Sequence, residues 1–156
     1  MANTYTQLYI QLVFAVKRRE DLIPKEHKNE VYKYMTGIIQ NHKHKLLAIN
    51  GMPDHVHIFI GQSPDQSLSK LVSEVKTYTT KFIKKQPWMR HDFSWQKGFG
   101  AFSYSRSHID AVVKYIANQE QHHAKRTFKA EYLDMLEKFE VEYDERYIFD
   151  FFEDLY

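Results

Sequence analysis

From Asp54 to Gly61 the chain reads Asp-His-Val-His-Ile-Phe-Ile-Gly, and side chains in an extended strand point alternately to opposite faces. Val56, Ile58 and Ile60 share one face and suit a core, while His55, His57 and Phe59 share the other. The same pattern predicts a first strand within Thr6–Val16 and a short second strand over Leu46–Asn50. A turn at Gly51-Met52-Pro53-Asp54 joins that second strand to the histidine strand as an antiparallel hairpin. A further alternating stretch runs from Phe93 to Ser105, with Trp95, Phe99 and Ala101 on one side and Gly98 and Gly100 on the other. Glycines there mark a bulge or the close approach of another backbone.

Helical periodicity fills the intervals. Pro24 fits a helix first turn, followed by Val31, Met35, Ile38 and Ile39 on one face, and that helix frays into His42-Lys43-His44-Lys45. Ser63, Pro64 and Gln66 read as N-cap, N1 and N3 of a second helix carrying Leu68, Leu71, Val72, Val75 and Phe82 and stopping before Pro87. Ser107-His108-Ile109-Asp110 reads as the cap of a third, whose stripe is Ile109, Val112, Val113 and Ile116. At about 100° per residue, Tyr115, Gln119 and His122 line one flank of that stripe. A last helix is expected from about Phe128 to Phe139, then a tail whose aromatic residues dock on the body. The order is β-α-β-β-α-β with an extra helix, an α+β, ferredoxin-like (RRM-like) antiparallel sheet with two helices on one face. The histidine face is the one those two helices leave open.

At 156 residues, 43% hydrophobic and 15% aromatic, the chain suits one domain with a real core rather than disorder. It has no apolar run of membrane-spanning length and no basic-then-apolar leader, and it has no cysteine for disulfides or thiolate metal sites. Those features fit a cytoplasmic protein without a membrane partner. The net charge of +2 is unevenly spread. Residues 1–126 carry 19 Lys and Arg against 10 Asp and Glu, and residues 127–156 carry 3 against 10. A basic body of that kind meets a polyanion, with Lys17, Arg18, Arg19, Lys76, Lys84, Lys85 and Arg106 as candidate phosphate contacts. The division expected is a catalytic domain over 1–126, and an acidic, aromatic helix and tail over 127–156 packed on or beside it.

His55 and His57 stand roughly 7 Å apart along one strand face, and neutral imidazole is the commonest metal ligand. The second His-x-His, His42 and His44, falls at a helix end, where i and i+2 diverge. Tyr115 beside an apolar stripe can be core, but Gln119 one turn on and the paired histidines give it a chemical context.

Taken together, His55-Val56-His57, the segment Trp95-Gln96-Lys97-Gly98-Phe99-Gly100-Ala101-Phe102-Ser103, and Tyr115-Ile116-Ala117-Asn118-Gln119 resemble the HUH single-tyrosine transposases of the insertion-sequence 200/605 family (TnpA-like). The resemblance covers roughly residues 5–125. It implies that Tyr115, on an added helix across the sheet, is the nucleophile, and that His55, His57 and Gln119 hold a divalent metal, Mg²⁺ or Mn²⁺. It also implies single-stranded DNA with hairpins as substrate, a covalent 5′-phosphotyrosine, and a homodimer whose active sites are shared between chains. A metal with only neutral ligands would keep its full charge for the scissile phosphate. Two other readings stand beside this one. One is a non-enzymatic, single-stranded nucleic-acid-binding module of RRM-like fold. The other is a zinc-dependent hydrolase using His55, His57 and His122.

Overall fold

The computed structural model describes residues 3–152. Its centre is a four-stranded antiparallel sheet of β1 (Tyr9–Ala15), β2 (Lys45–Met52), β3 (His55–Gly61) and β4 (Gly100–Tyr104), in the order β2-β3-β1-β4. The histidine strand β3 is therefore internal, and hydrogen bonds on both sides fix its register. Val13 and Asn50 flank His57 across the strands, and Ala15 and Met52 flank His55. Gly51 is required in the hairpin, because a Cβ there would lie 2.9 Å from the Val56 Cα.

One sheet face buries Leu12, Phe14, Val56, Ile58 and Ile60 against helices α1 (Lys28–Asn41) and α2 (Leu68–Lys84). Each of those helices turns an apolar stripe inward, Val31, Met35 and Ile39 from α1 and Leu71, Val72, Val75 and Ile83 from α2. This is the two-helices-on-one-face arrangement that the hydrophobic pattern predicts. The opposite face carries Gln11, His55, His57 and Phe59, and it is roofed by three shorter helices, α3 (Ile109–Ala117), α4 (Gln119–His123) and α5 (Phe128–Lys138).

Several boundaries differ from the sequence reading for identifiable reasons. Pro24 precedes a 3-10 turn, Lys25–His27, and the α-helix begins only at Lys28. Helix α2 starts at Leu68 under Ser67, whose hydroxyl accepts from the Lys70 N–H at 3.1 Å. Ser63 instead bonds its hydroxyl to Asp65 in a turn, and Gln66 is engaged by His44 and Gln62. Likewise α3 is entered through a 3-10 turn, Arg106–His108, rather than a Ser107 cap.

Of the long alternating stretch, only Gly100–Tyr104 pairs as a strand, and Trp95 makes a single bridge to Val16. Ala101, opposite Leu12, is exposed on that edge strand. Gly98 turns the chain with φ +83°. At Gly100 the close approach comes from a side chain rather than a backbone. It is the ring of Tyr132 on α5, whose Cε1 a Cβ would meet at 2.8 Å.

Helix α5 begins as expected at Phe128, capped by Thr127, which accepts from the Ala130 N–H at 3.1 Å. Such a cap is worth ~1 kcal/mol. The tail docks through aromatic residues, Phe149 and Phe151 lying against Phe128 and Tyr132. The Gln96 side chain pins it, its amide nitrogen donating to the Asp150 carbonyl at 2.9 Å and its oxygen accepting from the Asp150 N–H at 2.7 Å. Among the described residues no helix is long and apolar enough to cross a membrane.

Candidate functional site

The roofed sheet face closes over a buried polar cluster. His55 and His57 project from β3, with ring centroids 5.2 Å apart. Tyr115 comes from the last turn of α3, with its ring 6.1 Å from that of His57. The helix breaks at Asn118, so Gln119 opens α4 instead of continuing α3. Ending a helix leaves carbonyls unpaired. Here the Asn50 amide of β2 donates to the carbonyls of Ile116 and Ala117 at 3.1 and 3.2 Å, which ties the Tyr115–Gln119 junction to the sheet. Gln119 itself is fully buried.

The side chain at the centre is one the sequence reading did not single out, Glu131 in the first turn of α5. Its Oε1 lies 3.0 Å from His57 Nε2, 3.4 Å from His55 Nε2 and 3.2 Å from His123 Nε2. Its Oε2 accepts from the Gln119 amide at 3.1 Å and from the Tyr115 hydroxyl in a short hydrogen bond. A helix N-terminus favours a carboxylate, but burying one completely is costly without partners. Burial would raise its pKa, yet the charge and hydrogen bonds of His57, His123 and His55 outweigh it and hold Glu131 far below the usual carboxylate range. Burial, and then the neighbouring Glu131 charge, push the Tyr115 hydroxyl well above its ordinary value, so it is held as a phenol. The guanidinium of Arg126 works against that rise by reaching the same hydroxyl.

The donor assignments test whether a cation fits. His55 Nδ1 lies 2.7 Å from Asp54 Oδ1, and His57 Nδ1 lies 2.7 Å from Gln11 Oε1. The Gln11 amide nitrogen donates to the Tyr104 hydroxyl at 2.8 Å, which leaves its oxygen to face His57. Both Nδ1 atoms are therefore donors, so in the neutral rings both Nε2 atoms turn lone pairs toward Glu131. A nitrogen and an oxygen that are both acceptors, 3.0 Å apart, call for a positive species between them. The second partner of each histidine fixes its tautomer, as around metal-binding imidazoles generally. Ligand atoms of His55, His57 and Glu131 all lie within 4.8 Å of one another, so this trio could hold a divalent ion. Burial lowers His57, in keeping with a neutral ligand. Burial also pushes His55 down, but hydrogen bonds to Asp54 and Glu131 outweigh it and carry that ring up to about 9.

The structure brings His55, His57, Gln119 and Tyr115 together. Gln119 Oε1 lies 3.2 Å from His55 Nε2. Glu131 sets a carboxylate among the neutral donors that the sequence reading expected. The third histidine at the cluster is His123, whereas His122 stacks flat on Tyr115 with centroids 4.4 Å apart. His42 and His44 are structural. His44 is buried between Gln66 and the Ser63 N–H, and His42 pairs with Glu74. Tyr115 meets the histidines of its own chain, whereas the expectation was a tyrosine contributed by a partner.

The candidate phosphate contacts divide. Lys17, Arg19, Lys84, Lys85 and Arg106 are exposed. Arg18 is taken up by Asp21 at 3.1 Å and by the Asp92 carbonyl. Lys76 is corrected outright, since its ammonium donates to the carbonyls of Gln96 and Gly98 at 2.9 and 2.7 Å. Burial lowers its pKa to about 8, and it serves as a tie for the loop before β4. A cavity of about 260 Å³ opens between α3 and α5, lined by Tyr115, Arg126, Tyr104, His108 and Phe139 among others. It gives the nucleophile candidate a route to solvent.

Comparison with known proteins bears on this site. The family model described as "Transposase IS200 like" matches residues 4–119. No curated protein matches the chain. Among solved structures, a candidate transposase from Deinococcus radiodurans R1 superposes with a TM-score of 0.56 at 21% identity, over 76% of this chain and 95% of that one. A REP-associated tyrosine transposase bound to a REP hairpin superposes at 0.58 with 14% identity, over 79% and 73%. At those identities the structures speak for the fold.

Proposed function

The chain belongs to the IS200-like transposase family, and from that premise we propose that it cleaves and rejoins single-stranded DNA at hairpin-bearing ends through a 5′-phosphotyrosine on Tyr115. The observation that carries this reading is the shared carboxylate. Glu131 binds the Tyr115 hydroxyl with one oxygen and faces His55 and His57 with the other. The candidate nucleophile and the imidazoles that would hold the ion are thereby held to one carboxylate. A hairpin-bound relative with the same fold supports DNA hairpins as the ligand.

His55, His57 and Glu131, with Gln119 beside them, would hold the divalent ion. When bound, that ion supplies Lewis-acid stabilisation of the charge developing on the scissile phosphate. The chain's own residues do the rest. Glu131 Oε2 orients the Tyr115 hydroxyl by accepting its hydrogen bond, and the phenol proton leaves to water through the cavity beside the ring. The phenolic oxygen forms a bond to phosphorus as the bond from phosphorus to the 3′ oxygen breaks, and that oxygen leaves as a hydroxyl once it gains a proton. Arg126, already against the phenol oxygen, is placed to neutralise the phosphate. Because the phosphotyrosine conserves the bond energy, attack by another 3′-hydroxyl rejoins DNA and returns a proton to Tyr115 without ATP.

Mg²⁺ and Mn²⁺ both suit a mixed nitrogen and oxygen donor set, and the imidazoles favour Mn²⁺. The homodimer stays part of the proposal, with β4 offering a free sheet edge. A shared site would require Tyr115 to leave the histidines of its own chain. Nothing observed favours the binding-module reading, since α3 and α5 cover the sheet face whose aromatics would stack bases, and Phe59 is fully buried there. A denaturing gel with labelled single-stranded hairpin DNA tests the proposal. A protease-sensitive adduct is expected, whereas free cleaved ends without adduct, or a shift without cleavage, would overturn it.

A further inference from the structure

The cavity between α3 and α5 opens beside the nucleophile candidate, and its walls are chemically mixed. Tyr115 and Arg126 line it, and both belong to the site already described, since the Arg126 guanidinium reaches the Tyr115 hydroxyl. Two aromatic rings form another wall. Tyr104 and Phe139 meet edge-to-face with centroids 5.3 Å apart, and Phe139 is exposed. Asp134 supplies a carboxylate, held by Arg126 Nη1 at 3.4 Å and by Lys138 Nζ at 3.0 Å. The cavity volume of about 260 Å³ is the space of about nine liquid waters. That admits one flat heterocycle of one or two rings, with water left beside it.

A nucleobase has the chemistry that these walls suit. Aromatic side chains stack bases of any sequence. The Lys138 ammonium, with Arg126, holds the Asp134 carboxyl below its ordinary value, so it is an acceptor only. A carboxylate accepts from the exocyclic amino group of a base, as it does from cytosine. The direction of attack says which base. In-line displacement places the leaving 3′ oxygen opposite Tyr115, so the upstream nucleotide departs on the far side of phosphorus. The 5′ oxygen that stays is equatorial, and the nucleotide it carries is free to turn back to the Tyr115 side. The same wall leads to the histidines, because the Tyr104 hydroxyl accepts from Gln11, whose oxygen faces His57 Nδ1.

We propose that this cavity receives the base of the nucleotide that becomes joined to Tyr115, stacked on Phe139 and read at its edge by Asp134. The proposal rests on the phosphotyrosine reading above and adds a determinant of where the strand is cut. Asp134 favours a base that bears an amino group, cytosine, adenine or guanine, over thymine, which has none. Phe139 and Asp134 touch the base and not the reacting atoms, so they set specificity rather than chemistry.

The test uses the full chain, Mn²⁺ and single-stranded DNA in which a hairpin is followed by a randomised segment and a fixed 3′ end. Covalent adducts are isolated, and a primer on the fixed end is extended to the tyrosine-linked nucleotide. Thymine should be depleted at that nucleotide with wild type, and Asp134→Asn should remove the depletion. The commonest cleaved sequence is then made with an abasic sugar at that nucleotide. For wild type the abasic strand should need about tenfold more DNA for half-maximal adduct formation, the loss of one stacked base, with the maximal rate little changed. For Phe139→Ala the abasic and intact strands should react alike. Three results would each overturn the proposal and leave the phosphotyrosine reading standing. They are no depletion of thymine at the linked nucleotide, a depletion that Asp134→Asn leaves in place, or an abasic strand that wild type cleaves as it does the intact one. No adduct from wild type on any member of the pool would overturn that reading and this proposal with it. The abasic comparison on wild type needs no variant, so misfolding of Asp134→Asn or Phe139→Ala cannot leave the question open.

Discussion

The hydroxyl of Tyr115 donates to Glu131 Oε2, so a residue on α3 and a residue on α5 are joined directly over the histidine strand. The other oxygen of that carboxylate is 3.0 Å from His57 Nε2. Helix α5 thus does more than cover the sheet, because it delivers the acid that links nucleophile and histidines. Four consequences can be measured.

Replacing Glu131 by Gln keeps the shape but removes the charge and one metal-facing oxygen. Affinity for Mn²⁺ should fall by about tenfold or more, in line with the effect of losing partners at metal sites. Isothermal titration calorimetry on wild type and Glu131→Gln checks this. An unchanged affinity would mean that the carboxylate plays no part in holding the ion.

Gly100 lies where a side chain would strike Tyr132, with a Cβ 2.8 Å from its Cε1. Gly100→Val should force α5 away from the sheet and destabilise the fold by about 1–3 kcal/mol, the usual cost of overpacking. Thermal unfolding reads the loss as a drop in Tm. A variant as stable as wild type would show that α5 is not seated as described.

Tyr115 stands against the histidines of its own chain, with ring centroids 6.1 Å apart. Mixing Tyr115→Phe protein with His57→Ala protein should therefore restore no adduct formation, since neither chain carries a complete site. Recovery on mixing would show that the tyrosine crosses between chains when DNA is bound.

Much of this was legible in the sequence because it is local. Strict alternation from His55 to Ile60 marked an internal strand, and the four-residue step from Tyr115 to Gln119 survived even though the helix breaks between them. Glu131 was not legible. An acid in the first turn of an amphipathic helix is what the helix dipole favours anywhere, and its meeting with His57, 74 residues away, depends on how α5 crosses the sheet. His123 was passed over for His122 for a related reason. The break at Asn118 resets the rotation of the chain, so a phase counted from Tyr115 points to the wrong neighbour. Ser63 misled because Ser-Pro at a helix start is a common signal. Here Ser63 closes a turn onto Asp65, and Ser67 is the cap.

The fourth consequence concerns the nucleophile, and Tyr115→Phe tests it most directly. The substitution removes one oxygen and keeps the ring that stacks on His122, so fold, ion binding and DNA binding should stay near wild type. Incubated with Mn²⁺ and labelled single-stranded hairpin DNA, wild type should give a covalent band on a denaturing gel and Tyr115→Phe none. A covalent band of wild-type intensity from Tyr115→Phe would place the nucleophile elsewhere and contradict the account.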